Sequence, residues 1–310
     1  MDSTKISYLV FGIVLILAIG FDLGLLSKRS ASITIRKALF QTLFWVALAF
    51  GFFVFLWVFQ KNHNQSLQYI SAYLMEWSLS IDNIFVFILI FSFFKVRQDH
   101  YARSLLIGIM LAILFRILFI TVGIALVKQF EWILYIFGAI LFFTGIKIFA
   151  VKKEQEYDPK KNIVYRWMLK MLPITDNDET GRFTVIENGK RMFTPVFLVI
   201  VLLGTTDIVF ALDSIPAVFA ISQDKMVIYT SNIFAVLGLR SLFFLLQGAV
   251  SQFRYLQQGI AVVLIFIGGK MLAEAFHVYT PVWLSLMVIV VCLFGSILFS
   301  IQMAEKDEEE

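Results

Sequence analysis

The chain has 310 residues, 60% of them hydrophobic and only 15% charged, with a mean hydropathy of +0.85, whereas soluble domains run near 45–50% apolar and about 25% charged. Thirty-four Phe set against 26 Lys and Arg could not be hidden in one soluble core, which excludes a soluble protein and leads us to expect a membrane protein. A single cysteine, Cys292, excludes a disulfide framework, a CxxC redox pair and a thiolate cluster within one chain.

Crossing about 30 Å of hydrocarbon takes about 20 apolar residues. Nine segments qualify: 6–26, 39–59, 69–94, 104–126, 130–150, 193–221, 227–247, 256–276 and 281–301. The fold class is therefore all-α, a polytopic membrane protein, because the segments lack the alternation of a membrane β-barrel. The first is read as a retained helix, since its apolar run is long, Lys5 alone precedes it and no A-x-A cleavage site follows. The whole chain, 1–310, reads as one integral membrane domain.

Placement of charge sets the orientation. Of the 26 Lys and Arg, eighteen fall in the connections after spans 1, 3, 5 and 7 and in the C-terminal tail 302–310, and four (Lys5, Lys61, Lys128, Lys225) on the other side. The N-terminus is thus expected outside and the acidic tail in the cytoplasm. Charge gathered at one membrane face by this rule also disposes of a nucleic-acid reading of the net charge of +4. The one long connection, 151–192, is expected in the cytoplasm with an amphipathic interfacial helix over Asn162 to Leu172 and a hairpin from Thr184 to Phe193, turned at Asn188-Gly189, where both central residues need φ > 0.

The last four basic residues, Arg116, Lys147, Arg240 and Lys270, lie inside spans, and the polar residues around them repeat. Span 3 holds Glu76-Trp-Ser-Leu-Ser-Ile-Asp82-Asn83-Ile84 and span 6 holds Asp207-Ile-Val-Phe-Ala-Leu-Asp213-Ser214-Ile215. Arg116-Ile-Leu-Phe119 in span 4 answers Arg240-Ser-Leu-Phe243 in span 7, and Phe143-Thr-Gly-Ile-Lys147 in span 5 answers Phe266-Ile-Gly-Gly-Lys270 in span 8. A unit of three helices is odd, so a second copy is inverted. The expected plan is a 3+3 repeat, 69–150 and 193–276, with 281–301 as a last span; transporters of this design bind substrate where the repeats meet.

A charge at a helix centre costs roughly 2.5–3.5 kcal/mol on insertion scales, so Glu76, Asp82, Asp207 and Asp213 need compensation. Ion pairs with Arg116, Arg240, Lys147 and Lys270 could glue the halves together; alternatively the acids form a cation site or proton relay, with the basic groups balancing charge when no cation is bound. The second reading is preferred because intramembrane ionisable groups mark pathways. Glu76 and Asn83 share a face at i, i+7, with Ser80 at i+4, and Asp207 and Ser214 repeat that spacing. Pro216 leaves the Leu212 carbonyl without its usual donor. All these candidate metal ligands (Glu76, Asp82, Asn83, Asp207, Asp213, Ser214) are oxygen donors, which suits Mg²⁺, Ca²⁺ or Mn²⁺. His63, His100 and His277 lie in or beside connections. Asp22 and Glu274 are expected near the interface, and Asn232 serves as an interhelical bond or a further ligand.

The runs Tyr73-Leu-Met-Glu76 to Val86, Asp207 to Ala217, Trp132-Ile-Leu-Tyr-Ile-Phe-Gly-Ala, Thr230-Ser-Asn232 to Arg240 and Ile267-Gly-Gly-Lys270-Met-Leu resemble the TerC family, most of all its Alx branch. The resemblance covers nearly the whole chain. It implies a polytopic inner-membrane protein of a family linked to Mn²⁺ export, to tellurium resistance and to redox modulation, with the family's intramembrane carboxylates falling on Glu76, Asp82, Asp207 and Asp213. One position departs: a Glu commonly sits three residues before the first Asp of the second motif, where this chain has Gly204. The expected function is a secondary transporter exporting a divalent cation, Mn²⁺ first, in exchange for protons. It is not an enzyme, it has no catalytic residues and no resident cofactor, and its partners are the cation and the lipid bilayer; a homo-oligomer or a membrane-protein partner is compatible with it. No G-x-x-x-x-G-K-[ST] run occurs. The competing reading is a non-transporting redox modulator or assembly factor, for which neither a thiol pair nor a haem-type His pair is present. Tellurium-oxyanion handling fits four acids poorly.

Overall fold

The computed structural model describes residues 3–26, 34–59, 63–130, 132–150, 162–175, 181–187, 189–247, 255–278 and 280–309, and within them the side chains of residues 3, 4, 21–26, 81, 82, 85, 209, 212, 213, 256 and 304–309 fall outside the described set. The elements in chain order are α1 (Ser3–Leu26), α2 (Ile35–Phe59), α3 (His63–Phe93), α4 (Gln98–Gln129), α5 (Ile133–Ala150), α6 (Ile163–Met171), β1 (Thr184–Glu187), β2 (Lys190–Phe193), α7 (Pro195–Ile221), α8 (Lys225–Leu237), α9 (Leu239–Leu246), α10 (Leu256–Glu274) and α11 (Val282–Glu309). The chain is an all-α polytopic membrane protein. Among the described residues six helical stretches are long and apolar enough to cross a bilayer: Ile35–Phe59, Gln98–Gln129, Ile133–Ala150, Lys225–Leu246, Gln257–Glu274 and Val282–Met303. Their outward faces expose a belt of large apolar side chains, among them Phe40, Leu114, Phe143 and Val291, of a kind that water-soluble monomers seldom leave uncovered.

Burial orders the helices from centre to rim. The α8–α9 stretch is 89% buried and α5 only 17%, so α8 is the hub. From Met226 to Leu237 every α8 residue except Tyr229 is buried, as expected of a helix that is apolar around most of its circumference. It starts cleanly because the Asp224 side chain accepts hydrogen bonds from the Met226 and Val227 amides at 2.8 and 3.2 Å, satisfying donors that the helix leaves unpaired. α3 packs along α8, α4 along α7, and α5 along α10. α7 continues through Pro216 without interruption.

Close approach of these pairs depends on glycine. A β-carbon on Gly145 of α5 would sit 2.7 Å from the Ala261 carbonyl oxygen of α10, and one on Gly108 of α4 would sit 2.8 Å from Leu203 Cβ of α7. With no hydrophobic drive between helices in lipid, such small-residue contacts supply the packing energy. The amphipathic helix appears as α6, with Asn162 as its cap. The hairpin pairs Thr184 with Phe193 and Glu187 with Lys190; Asn188 lies outside the described residues, and Gly189 has φ of +76°.

Gly145→Ala is expected to cost about 1–3 kcal/mol, the range for overpacking, because a backbone carbonyl cannot rotate away. Gly12→Ala, with nothing within 4 Å of the added carbon, should be neutral or slightly stabilising. Thermal melts of the purified protein in detergent compare the two.

Candidate functional site

The polar residues of the central helices converge. Glu76 and Asn83 come from α3, Arg116 from α4, Asp207 from α7 and Asn232 from α8, and all five are at most 3% exposed. Arg116 is the centre of the group. Its Nη1 forms an ion pair with Glu76 Oε1 and donates to Asn232 Oδ1 at 3.2 Å. Its Nη2 and Nε lie 3.0 and 3.3 Å from the two Asp207 carboxylate oxygens, the two-pronged geometry that a guanidinium offers a carboxylate. Asn83 Nδ2 reaches Asp207 Oδ1 at 3.5 Å, and Asn232 Nδ2 donates to the Ile228 carbonyl at 3.0 Å. One cation is thus shared between two acids supplied by different halves of the chain.

Among the described residues several buried oxygens on the same two helices have no hydrogen-bond partner: Glu76 Oε2, Ser80 Oγ one turn along α3, and Ser214 Oγ two turns along α7 from Asp207. Buried polar atoms are seldom left in that condition. Ser78, Ser104 and Thr206 add further buried hydroxyls of the same kind. Carboxylate, amide and hydroxyl oxygens are hard ligands, which suit a hard cation or a proton.

The remaining sequence candidates are placed as follows. Asp82 and Asp213 lie in α3 and α7, and their side chains are outside the described set. Among the described residues no group of three or more His, Cys, Asp and Glu is placed to hold a metal ion. Arg240 is buried on α9. Lys270 is buried too, its Nζ 3.3 Å from Ser285 Oγ and 3.4 Å from the Ala220 carbonyl at the end of α7. Lys147 stands on the exposed face of α5, apart from the cluster. Gly204 lies so close to Leu111 of α4 that any β-carbon would overlap that side chain, so this position is a packing contact between α4 and α7.

Sequence reasoning passed over a polar fastening at one end of the bundle. Gln65 Nε2 donates to Asp224 Oδ2 at 2.9 Å and Ser222 Oγ donates to Gln68 Oε1 at 2.9 Å, tying the first turns of α3 to the turn between α7 and α8. The available signals were an Asp directly before an apolar helical run and two Gln at i, i+3. Lys270, bonded to the Ala220 carbonyl, adds a further contact at the same end of α7.

The description "integral membrane protein TerC family" fits residues 61–309, a stretch that contains every member of the Arg116 cluster. The chain belongs to the TerC family. It is similar to the membrane protein STKORF319 of Myxococcus xanthus, 40% identical over 91% of this chain and 88% of that one. A Rickettsia felis membrane protein is 39% identical over 95% and 97%. Alx of Escherichia coli, named for a membrane-bound redox modulator, is 39% identical over 90% and 89%. No solved structure matches. The family match opens at 61, two residues before α3, so α1 and α2 lie outside it and the cluster-bearing helices lie within it.

Removing the guanidinium tests how the cluster is held together. Arg116→Leu leaves Glu76 and Asp207 buried without their counter-charge and should cost about 3–5 kcal/mol. Adding Glu76→Gln and Asp207→Asn to that variant should recover most of the loss, read as thermal unfolding in detergent.

Proposed function

We propose that the chain is a secondary transporter that carries a divalent cation, Mn²⁺ foremost, out of the cytoplasm in exchange for protons. It acts as a carrier without bond-making chemistry or a resident cofactor, and sits in the bacterial inner membrane with its N-terminus outside. The observation that carries this reading is the meeting of Glu76 and Asp207, from two different halves of the chain, on one buried arginine. Such acids are costly inside a bilayer and are kept where ions pass. Arg116 balances their charge when no cation is bound; an arriving cation takes its place, with Asn83, Ser80 and Ser214 as neutral oxygen donors and Asp82 and Asp213 as further carboxylates. Protonation of the acids releases the cation again.

The proposed architecture is nine spans, with α8 and α9 together making one, and two inverted three-helix repeats, α3–α5 and α7–α10. The helix pairing supports it. An exchange of α3 with α7, of α4 with α8–α9 and of α5 with α10 turns the α3–α8 pair into the α7–α4 pair and the α5–α10 pair into itself, and these three are the main pairings of the bundle. The name of the E. coli relative favours a second reading, redox modulation. In this chain it would fall to the half-buried Cys292 on α11.

Inside-out vesicles with an acid lumen should accumulate Mn²⁺ in preference to Mg²⁺ and Ca²⁺, and Glu76→Gln, Asp207→Asn and Asp213→Asn should each lower uptake by about tenfold or more, the loss of roughly 1.4 kcal/mol of site affinity. Well-inserted variants with wild-type uptake would overturn the site. Absence of uptake in the wild type, joined to loss of function in Cys292→Ser, would favour the redox reading.

A further inference from the structure

The connection between the halves carries a surface that transport does not use. One side of α6 is fixed to the bundle: Met168 is buried, the helix packs on α7, and the Tyr165 ring stands edge-on to Phe94 and Phe93, with ring centres 5.4 and 6.1 Å apart. These contacts hold α6 at the level where α3 ends and α7 begins. The opposite side is apolar and uncovered: Ile163, Trp167 and Met171, at i, i+4 and i+8, are 80%, 60% and 60% exposed. Arg166 and Lys170 flank that stripe and are exposed as well.

The hairpin that follows α6 also exposes apolar and basic side chains. Ile186 on β1 is 81% exposed, and Arg182, Thr184, Gly189 and Arg191 help to line a cavity of about 400 Å³. Arg191 Nε donates to Thr184 Oγ1 at 3.1 Å, which steadies the guanidinium at the cavity wall. Among the described residues of α6, the hairpin and the segment entering it, the cations are Arg166, Lys170, Arg182, Lys190 and Arg191. The one acid among these residues, Glu187, already accepts a hydrogen bond from Thr175 Oγ1 at 2.7 Å.

A nine-residue helix does not hold an apolar stripe in water by its own stability. A short helix with Trp and Ile on one face and Arg and Lys beside them, placed at the ends of membrane spans, has the chemistry of a segment lying in the headgroup layer. Basic groups at that depth draw anionic phosphate toward them. We propose that α6 and the β1–β2 hairpin dock on an anionic phospholipid surface, with Ile163, Trp167 and Met171 at the acyl boundary and Arg166, Lys170 and Arg191 on lipid phosphates. The docking is independent of what the acids at the bundle centre carry.

The experiment uses the full-length protein in liposomes of phosphatidylcholine with or without phosphatidylglycerol, one lipid at a time being brominated to quench tryptophan. The signal of Trp167 is the difference between wild type and Trp167→Phe. Brominated phosphatidylglycerol is expected to quench Trp167 roughly threefold more than brominated phosphatidylcholine at equal mole fraction, because the basic groups beside it enrich anionic headgroups. The variant Arg166→Gln/Lys170→Gln/Arg191→Gln, all surface changes, should lose that preference while its circular dichroism is unchanged. Equal quenching by the two lipids would overturn the anionic surface. Quenching by neither lipid, with aqueous acrylamide reaching Trp167, would overturn docking on lipid. Shielding of Trp167 from both lipid and acrylamide, found only in native membranes, would instead assign the face to a protein partner and overturn the proposal.

Discussion

A guanidinium buried in an apolar bundle has to bring its counter-charges with it, because a lone charge at that depth is several kcal/mol above its paired state. Arg116 satisfies the requirement by drawing Glu76 from α3 and Asp207 from α7 onto one group. The constraint spreads outward from there. Both acids must be delivered at the same depth, so α3 and α7 must each run past α4 in a fixed register. Asn232 must be held with its carbonyl oxygen toward Nη1, and its amide bond to Ile228 does so. The centre of the fold is therefore set by electrostatics, and apolar packing is arranged around it.

That arrangement shows in which contacts are tight. Gly108 and Gly204 let α4 and α7 interlock with Leu203 and Leu111 across the interface, drawing the helices close enough for Arg116 to grip Asp207 with two of its nitrogens. Gly145 does the same for α5 against α10. Packing of this kind has few intermediate states. A cation that displaced Arg116 from the acids would therefore have to shift whole helices or leave the guanidinium with new acceptors close by, and the buried oxygens along α3 and α7 are the nearest in sequence to serve.

Much of the architecture was legible because hydrocarbon imposes one rule on the backbone and one on composition: long apolar runs must be helices. The runs 39–59 and 104–126 fall inside α2 and α4, although α4 starts six residues earlier, at Gln98, and the Asn-Gly turn marked the hairpin. The cluster was legible in part. Glu76, Asp207 and Arg116 stood out as charges in apolar runs, yet their mutual distances depend on how α3, α4 and α7 cross, and one-dimensional spacing does not contain that. Lys147 shows the limit most clearly. It reads in sequence as the counterpart of Lys270, yet one is exposed on α5 and the other is buried against α7 and α11. Gln65, Gln68 and Ser222 were passed over because a polar residue near a span end is ordinary, and only the approach of α3 to the α7–α8 turn makes them partners.

The contrast between the two lysines bears on the proposed inverted plan. Duplicated halves begin with equivalent residues, and each copy can then be given a separate task. Arg116 serves acids from both halves of the chain, so on the proposed plan the first half supplies the shared counter-charge. Lys270 sits at the Ala220 carbonyl near the end of α7, where a cation complements the negative end of a helix, and Ser222, Asp224 and the two glutamines of α3 hold the turn that follows. The second half thereby supplies an end of α7 that is fixed in place. A helix anchored at that end and gripped by Arg116 at Asp207 has its central segment, with Asp213 and Pro216, suspended between two polar restraints.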